Sequence, residues 1–380
     1  MKKKVRVLFI AYNDKQWMGG IYYVKNIVYQ FLEYSKTQSE ISYEAHVLLD
    51  DSVLEVFDFC NDYKNAKLIV KRKNMWDQGN GFICRNLREL GWIFRVYGRR
   101  IDYIYPSFST KSIYRKKIIS WIPDFQHVKY PEFFTKEENE ARDRNFEDIA
   151  KHHSKLVLSS QDAFETYQKL YPDCCENVGV VHFVSALKEE DIYENVDELL
   201  VKYGIPEKYF IVSNQFYRHK NHLVLFKAIN ILRESGYSDI QLVCTGMPKD
   251  VKDASYIEEV NDYINQNDLK NNIKILGLIS RKEQLALMRN AIAVIQPSLF
   301  EGWGTCTEDA KVLGKITVLS DIPVHREQSD ENTLFFDKNN SDELAKIINC
   351  LWVDYKNKNA VYKFDVKNSV CYGEQFAKML

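Results

Sequence analysis

Apolar residues along this chain fall into short runs, separated by polar stretches with helical spacing. Val5 to Ala11, Ala45 to Leu49, Lys67 to Val70, Ile101 to Tyr105, Ile118 to Ile122 and Leu156 to Ser159 are brief and rich in branched or aromatic residues, so each is expected as a buried strand. A polar, acidic stretch, ALKEEDIYENVDE, then reads as a linker plus entry helix. Beyond it strand-like runs resume at 209–213, 241–244, 273–276, 293–296, 316–319 and 333–336. Helical patterns, the first from Ile21 to Tyr34, separate most of these runs, and that alternation predicts parallel sheets covered on both faces. The fold class is therefore α/β, with two Rossmann-like doubly wound domains, 1–187 and 188–355. No internal repeat or low-complexity segment changes this picture.

A length of 380 residues exceeds what one core usually serves, which agrees with two domains. With 45% hydrophobic and 28% charged residues the composition is that of an ordinary globular chain. A net charge of -1 gives no case for nucleic acid as a partner. The charge is unevenly spread: 28 Lys+Arg stand against 24 Asp+Glu up to Ser185, and 24 against 29 beyond it. The first domain is thus the one expected to meet an anionic surface. Its stretch CRNLRELGWIFRVYGRR, 84–100, carries an apolar stripe beside Arg85, Arg88, Arg95, Arg99 and Arg100. It reads either as a packed helix with a solvated face or as a basic helix lying on a membrane. Apolar runs stay far short of the roughly 18 residues that span a bilayer, and MKKK lacks an apolar signal region. A cytoplasmic protein is expected, with peripheral contact at the inner face of the membrane left open. The eight cysteines are scattered without zinc-type spacing and are expected as free thiols.

The stretch SLFEGWGTCTEDAK, 298–311, concentrates the candidate chemistry. Gly302 and Gly304 fall between an expected strand and an expected helix, where backbone can approach a ligand closely. The unpaired N–H groups of the helix start and the helix dipole favour a phosphate there. Glu301 and Asp309 bracket the turn, and carboxylates accept hydrogen bonds from hydroxyls, of which a sugar and a ribose offer several. Cys306 is expected to line the turn, since no adjacent base would make it a nucleophile.

This stretch resembles the Glu-x7-Glu motif of glycosyltransferase family 4, retaining enzymes of the GT-B fold, with Glu301 at the first glutamate and Asp309 at the second. Asp shortens the reach by one methylene, and Glu308 next door is a competing candidate on another helix face. The resemblance implies two domains facing across a cleft, with 356–380 a helical segment returning to the first. Gly19 and Gly20, between the first strand and first helix, match the family's glycine-rich loop, which faces acceptor and donor phosphates. Trp17, Tyr22 and Tyr23 either stack on an acceptor sugar or belong to the core. In SWIPDFQHVKYPEFF, Asp124 fits the Asp of the family's His-Asp pair, Pro123 takes the His position, and His127 lies three residues on. His127 reads either as a partner of the donor sugar or the acceptor hydroxyl or as a capping or core histidine, and IPDFQH resembles a subgroup of surface polysaccharide assembly.

In SNQFYRHKNH, Lys220 matches the family lysine that holds the donor diphosphate, while Gln215 stands at the arginine position. Arg218 is the other candidate for that second charge. Two cations at a strand-to-helix turn stabilise the charge that builds on a leaving phosphate without a metal. No Asp-x-Asp pair occurs in the chain, which agrees with a metal-independent site and no cofactor. Gly246, and Leu278 with Ile279 in LGLIS, match places where backbone grips the nucleobase, and DIPVHRE and LFFD follow in the family's order.

The expected function is a retaining hexosyltransferase moving sugar from a UDP- or GDP-linked donor to a saccharide or lipid-linked acceptor in O-antigen-type glycan assembly. Glu301, Lys220, Arg218 and His127 are the expected catalytic residues. Gly20, Gln215, Gly246, Leu278, Ile279, Gly302, Trp303, Gly304, Thr305 and Asp309 are expected at the donor, with 302–305 offering backbone N–H groups. Gly19, Trp17 and Asp124 are expected at the acceptor. The alternatives are a nucleotide-sugar epimerase or a catalytically silent GT-B partner subunit.

Overall fold

A computed structural model describes residues 2–11, 18–71, 100–110, 115–193, 195–248, 253–355 and 366–380. Trp17 and nearly all of the basic stretch 84–100 lie outside the described residues. The chain divides into two compact units. One comprises Met1–Phe125, Lys136–Ala186 and Val366–Leu380; the other comprises Gln126–Thr135 and Leu187–Asp365.

The first unit holds a seven-stranded sheet: β1 (Lys3–Ala11), β2 (Ile41–Asp50), β3 (Ala66–Lys71), β4 (Tyr103–Ser107), β5 (Ile118–Ile122), β6 (Leu156–Leu158) and β7 (Val178–Val180). Its order is β3-β2-β1-β4-β5-β6-β7, and every paired strand is parallel. The terminal helix, Val366–Lys378, packs along the helix Met18–Lys36 of the same unit. Gly373 makes this approach possible, because a Cβ there would lie 2.2 Å from the Gln30 carbonyl oxygen. Phe376, fully buried, then seats its ring among Phe9, Phe31 and Tyr105. Tyr23 is core: its ring stacks on Trp121 at 3.9 Å and its hydroxyl meets that of Tyr105.

The second unit holds six parallel strands: β8 (Phe210–Ser213), β9 (Leu242–Thr245), β10 (Ile273–Gly277), β11 (Ala293–Gln296), β12 (Ile316–Ser320) and β13 (Thr333–Phe336). The order is β10-β9-β8-β11-β12-β13. Successive side chains of a strand point to opposite faces, and both faces here are buried. Phe210, Val212, Leu242, Cys244, Ala293 and Ile295 join one core with the helices His222–Glu234, Ala254–Gln266 and Ser341–Val353. Tyr209, Ile211, Val243 and Val294 join the other with Val196–Tyr203, Arg281–Asn290 and Thr305–Val312. This is why the strands read as continuous apolar runs rather than as alternating ones.

In each sheet the order reverses beside the first strand, between β1 and β4 and between β8 and β11. Loops leaving the carboxyl ends of those strands border a crevice, the place where doubly wound sheets take ligands.

Candidate functional site

The loops after β8 and β11 meet at this reversal in the second unit. Asn214 Nδ2 donates to Gln296 Oε1 at 2.7 Å, Leu299 N–H to the His219 carbonyl at 2.7 Å, and Asn221 Nδ2 to the Pro297 carbonyl at 3.1 Å. Asn221 sits at φ 55°, a left-handed conformation that asparagine tolerates, which turns the chain from the single turn Arg218–Lys220 into the helix His222–Glu234. These bonds bring together two residues 81 apart in sequence: Lys220 Nζ donates to Glu301 Oε1 at 2.7 Å and Oε2 at 2.8 Å. Ser298 Oγ donates to the same Oε1 at 2.7 Å.

The pair is largely buried. Burial pushes the Glu301 carboxyl up, but the Lys220 ammonium, with His325, outweighs it and holds the group at about 2. Glu301 is therefore a carboxylate throughout the physiological range and can only accept hydrogen bonds. Three histidines near the pair are neutral rings: His222 and His325 are fully buried and His219 is half-buried. Burial and the Lys220 charge hold His219 and His222 at about 3, and burial lowers His325. His325 Nδ1 donates to the Ser320 carbonyl at 2.8 Å, and Ser320 Oγ donates to the Ser298 carbonyl at 2.5 Å, so the floor beneath Glu301 is itself hydrogen-bonded.

The turn after Glu301 is fixed from an unexpected direction. Gln328, fully buried, accepts the Gly304 N–H at 2.9 Å and donates from Nε2 to the Gly304 carbonyl at 3.0 Å and to Glu308 Oε1 at 2.8 Å. The Gly304 N–H is thus occupied and does not face a ligand, which corrects the expectation that 302–305 all offer donors. Glu308 turns toward Gln328 and Lys311. Asp309 has no exposed surface, and its Oδ1 accepts from Arg281 Nη2 at 2.6 Å. Lying sealed behind that guanidinium, it does not present its carboxylate to a ribose here.

The other expected residues distribute as follows. Gln215 spends its side-chain oxygen on the Met247 N–H at 2.9 Å, bracing the turn at Gly246. Gly246 is obligatory there: at φ +117° a Cβ would lie 2.0 Å from the Asn214 carbonyl oxygen. Arg218 is diverted to acids, with Nε 2.6 Å from Asp253 Oδ2 and Nη1 2.9 Å from Glu259 Oε2. Leu278 is exposed, Ile279 packs at the edge of a core, and Gly302, Trp303 and Thr305 are half-buried. Gly19 and Gly20 lie in the first turn of the helix Met18–Lys36 rather than ahead of it. Asp124 follows β5 in the first unit, whereas His127, buried, belongs with the second. The segment bearing His127 is held through Tyr130, whose hydroxyl donates to the Leu299 carbonyl at 3.1 Å and accepts from Lys338 Nζ at 2.7 Å.

Arg281, Gln284, Gln328 and His325 went unassigned in the sequence; their partners are remote, and only the order of DIPVHRE hinted at His325. Among the described residues no group of three or more His, Cys, Asp or Glu is placed to hold a metal ion, and no helix is long and apolar enough to cross a membrane.

Comparisons with known proteins agree with this arrangement at the level of fold. HepE of Anabaena, in complex with UDP and glucose, superposes with a TM-score of 0.66 at 16% identity, covering 99% of this chain and 100% of that one. Sucrose-phosphate synthase of Thermosynechococcus elongatus gives 0.63 at 13% identity, covering 99% and 94%. WaaG, a glycosyltransferase involved in lipopolysaccharide biosynthesis, gives 0.57 at 13% identity, covering 97% and 93%. No curated protein sequence matches the chain. Residues 195–364, which carry Lys220, Glu301 and their supporting network, match the family model for glycosyl transferases group 1, and the two-domain α/β fold is that of the GT-B glycosyltransferases.

Proposed function

We propose that this chain is a retaining, metal-independent glycosyltransferase that moves a sugar from a UDP- or GDP-linked donor to a saccharide or lipid-linked acceptor. The observation that carries the reading is the Lys220–Glu301 pair, set at the strand-order reversal of the second unit by the loops after β8 and β11. The match of residues 195–364 to group 1 glycosyl transferases supports it. So does the UDP bound by HepE, as a likeness of fold.

The chemistry follows from what each group can do. Lys220 carries a fixed charge toward a diphosphate, and stabilises it more as the bond from the sugar C1 to the phosphate oxygen breaks. Glu301, ionised and acceptor-only, orients the sugar through its hydroxyls. The acceptor hydroxyl oxygen forms the new bond to C1 on the face the phosphate leaves. Its proton passes to the departing phosphate oxygen, so no protein base is required. A glycosidase would instead need two carboxylates flanking the bond. Assembly of surface polysaccharide, with peripheral contact at the inner membrane face, is the setting the IPDFQH segment suggests.

The test is turnover of UDP-glucose, UDP-galactose, UDP-N-acetylglucosamine and GDP-mannose with EDTA present, with and without saccharide acceptors, followed by proton NMR. The expected result is acceptor-dependent release of nucleoside diphosphate and a product with the donor's anomeric configuration. Donor converted to an epimer without acceptor would establish the epimerase instead. No turnover of any donor would leave the silent partner subunit.

A further inference from the structure

We propose that Phe108 is a stacking platform for the acceptor, its exposed surface taking the apolar face of a sugar ring. The inference rests on the reading above and adds a residue on the acceptor side, within the first unit alone.

The order of the first sheet reverses between β1 and β4, which run parallel with Phe9 opposite Tyr105, so their carboxyl ends lie side by side. A doubly wound sheet takes its ligand at that end. Phe108 is the first residue beyond β4, and it is 47% exposed. Its aromatic neighbours in the same unit, Phe9, Tyr23, Tyr105 and Trp121, are all buried. On the other flank Met18, also exposed, opens the helix Met18–Lys36 that follows β1. Both strands at the reversal are thus succeeded by an accessible apolar side chain.

A single exposed phenylalanine is commonplace on a protein surface, and the support beneath this one sets it apart. The Phe108 ring lies on Trp121 of β5, with centroids 5.4 Å apart. Trp121 is itself fixed twice: Nε1 donates to Ser159 Oγ at 3.0 Å, and the indole stacks flat on Tyr23 at 3.9 Å. The backbone that carries the ring is pinned as well. Ser107 Oγ donates to the Ser109 carbonyl at 2.8 Å, and Thr110 Oγ1 donates to Asp148 Oδ2 at 2.8 Å on the helix Lys136–His152. A ring with few torsions, backed by a buried aromatic stack and set on a braced turn, loses little freedom when a ligand settles on it.

The chemistry around the ring selects the ligand. A phosphate has no apolar side to lay on phenyl carbon, whereas a pyranose has a face of C–H groups and a rim of hydroxyls. Asp124, half-buried, follows β5, the strand paired with β4, so a carboxylate able to accept from hydroxyls stands at the end of the adjacent strand. A lipid chain would call for a continuous apolar groove, but the residues flanking Phe108 are Ser107, Ser109 and Thr110. One aromatic face among polar groups is the composition of a sugar subsite.

The experiment measures transfer by the full chain from a saturating donor, in EDTA, to four acceptors. These are the methyl β-glycosides of glucose, galactose and N-acetylglucosamine, and methyl α-mannoside. The proteins are wild type, Phe108→Ala, Phe108→Leu and Phe108→Tyr, with nucleoside diphosphate Kd taken by calorimetry on each. Phe108→Ala should raise the KM of the best acceptor by about tenfold, with a smaller change in kcat and a nucleotide Kd within about twofold of wild type. Phe108→Tyr should bring the KM back to within about twofold, and Phe108→Leu should not. An unchanged KM in Phe108→Ala would overturn the proposal. So would full recovery in Phe108→Leu, which would mean generic apolar contact such as a lipid chain makes. A nucleotide Kd that rises in step with the acceptor KM would also overturn it. Donor turned over by the wild type, but passed to none of the four glycosides, would sink this inference alone. No donor bound or turned over by the wild type would sink the glycosyltransferase reading and this inference with it.

Discussion

At the scale of single residues, the Lys220–Glu301 pair carries the account, and its electrostatics make a directional forecast. The Glu301 carboxyl lies at about 2 against an ordinary 4.5. Its contribution to stability is therefore fully present above about pH 4.5 and lost as the pH falls toward 2. Transfer should show no acid limb attributable to Glu301 between pH 5 and 7, whereas Glu301→Gln should lower kcat by about 100-fold at any pH in that range. An acid limb near 4.5 in a kcat/KM profile that Glu301→Gln removes would contradict this. Gln328 offers an independent check. Gln328→Leu strips three hydrogen bonds from the buried turn and should cost roughly 3 kcal/mol or more in urea denaturation, because the Gly304 groups and Glu308 stay buried without them. Lys220 and Glu301 can be singled out in the sequence because each sits in a strand-to-helix turn whose pattern is local. Arg281, Gln284 and Gln328 cannot, because partners 28, 71 and 24 residues away assign their roles. The same remoteness explains why Arg218 and Asp309 stand in the expected turns yet are engaged elsewhere: nothing in RHK announces Asp253 and Glu259, and nothing in TEDAK announces Arg281.

At the scale of elements, twelve of the thirteen described strands overlap the expected apolar runs, since a parallel strand buried on both faces leaves a strong signal; β7, three half-buried residues at the sheet edge, falls outside them. Helix starts are less legible. Gly19 and Gly20 read as loop because glycine disfavours helix interiors, yet a first turn tolerates them and Gly20 is buried there. The turns that matter for the site depend on backbone geometry that only glycine accepts. Gly246→Ala should cost about 1–3 kcal/mol and weaken nucleotide binding, because relieving the 2.0 Å contact displaces the turn that Gln215 braces beside β8. Circular dichroism melts together with nucleotide titration would check it, and a variant as stable and as tight-binding as wild type would refute the role given to that turn.

At the scale of the whole molecule, each unit has its own apolar core, and the second also holds three neutral histidines, His222 and His325 fully buried and His219 half-buried. His219 and His222 lie at about 3 and His325 below its ordinary 6.5, all through burial. Each stabilises the fold fully above about pH 6.5, and that contribution is lost as the pH falls toward the folded value. Unfolding free energy from urea titrations should therefore hold steady from pH 8 to 7 and decline from about pH 6.5 downward, before the carboxylates begin to protonate. The decline should be shallower in His222→Gln. A profile flat to pH 5 would mean that these rings are not buried as neutral groups.

The most direct measurement is nucleotide-sugar binding by the purified chain, in EDTA, compared between wild type and Lys220→Ala by titration calorimetry with UDP-glucose and GDP-mannose. The expected result is that at least one donor binds the wild type without metal and that Lys220→Ala weakens it by about 100-fold, at an unchanged fold by circular dichroism. Binding that survives the loss of Lys220, or that appears only when a divalent metal is added, would contradict it.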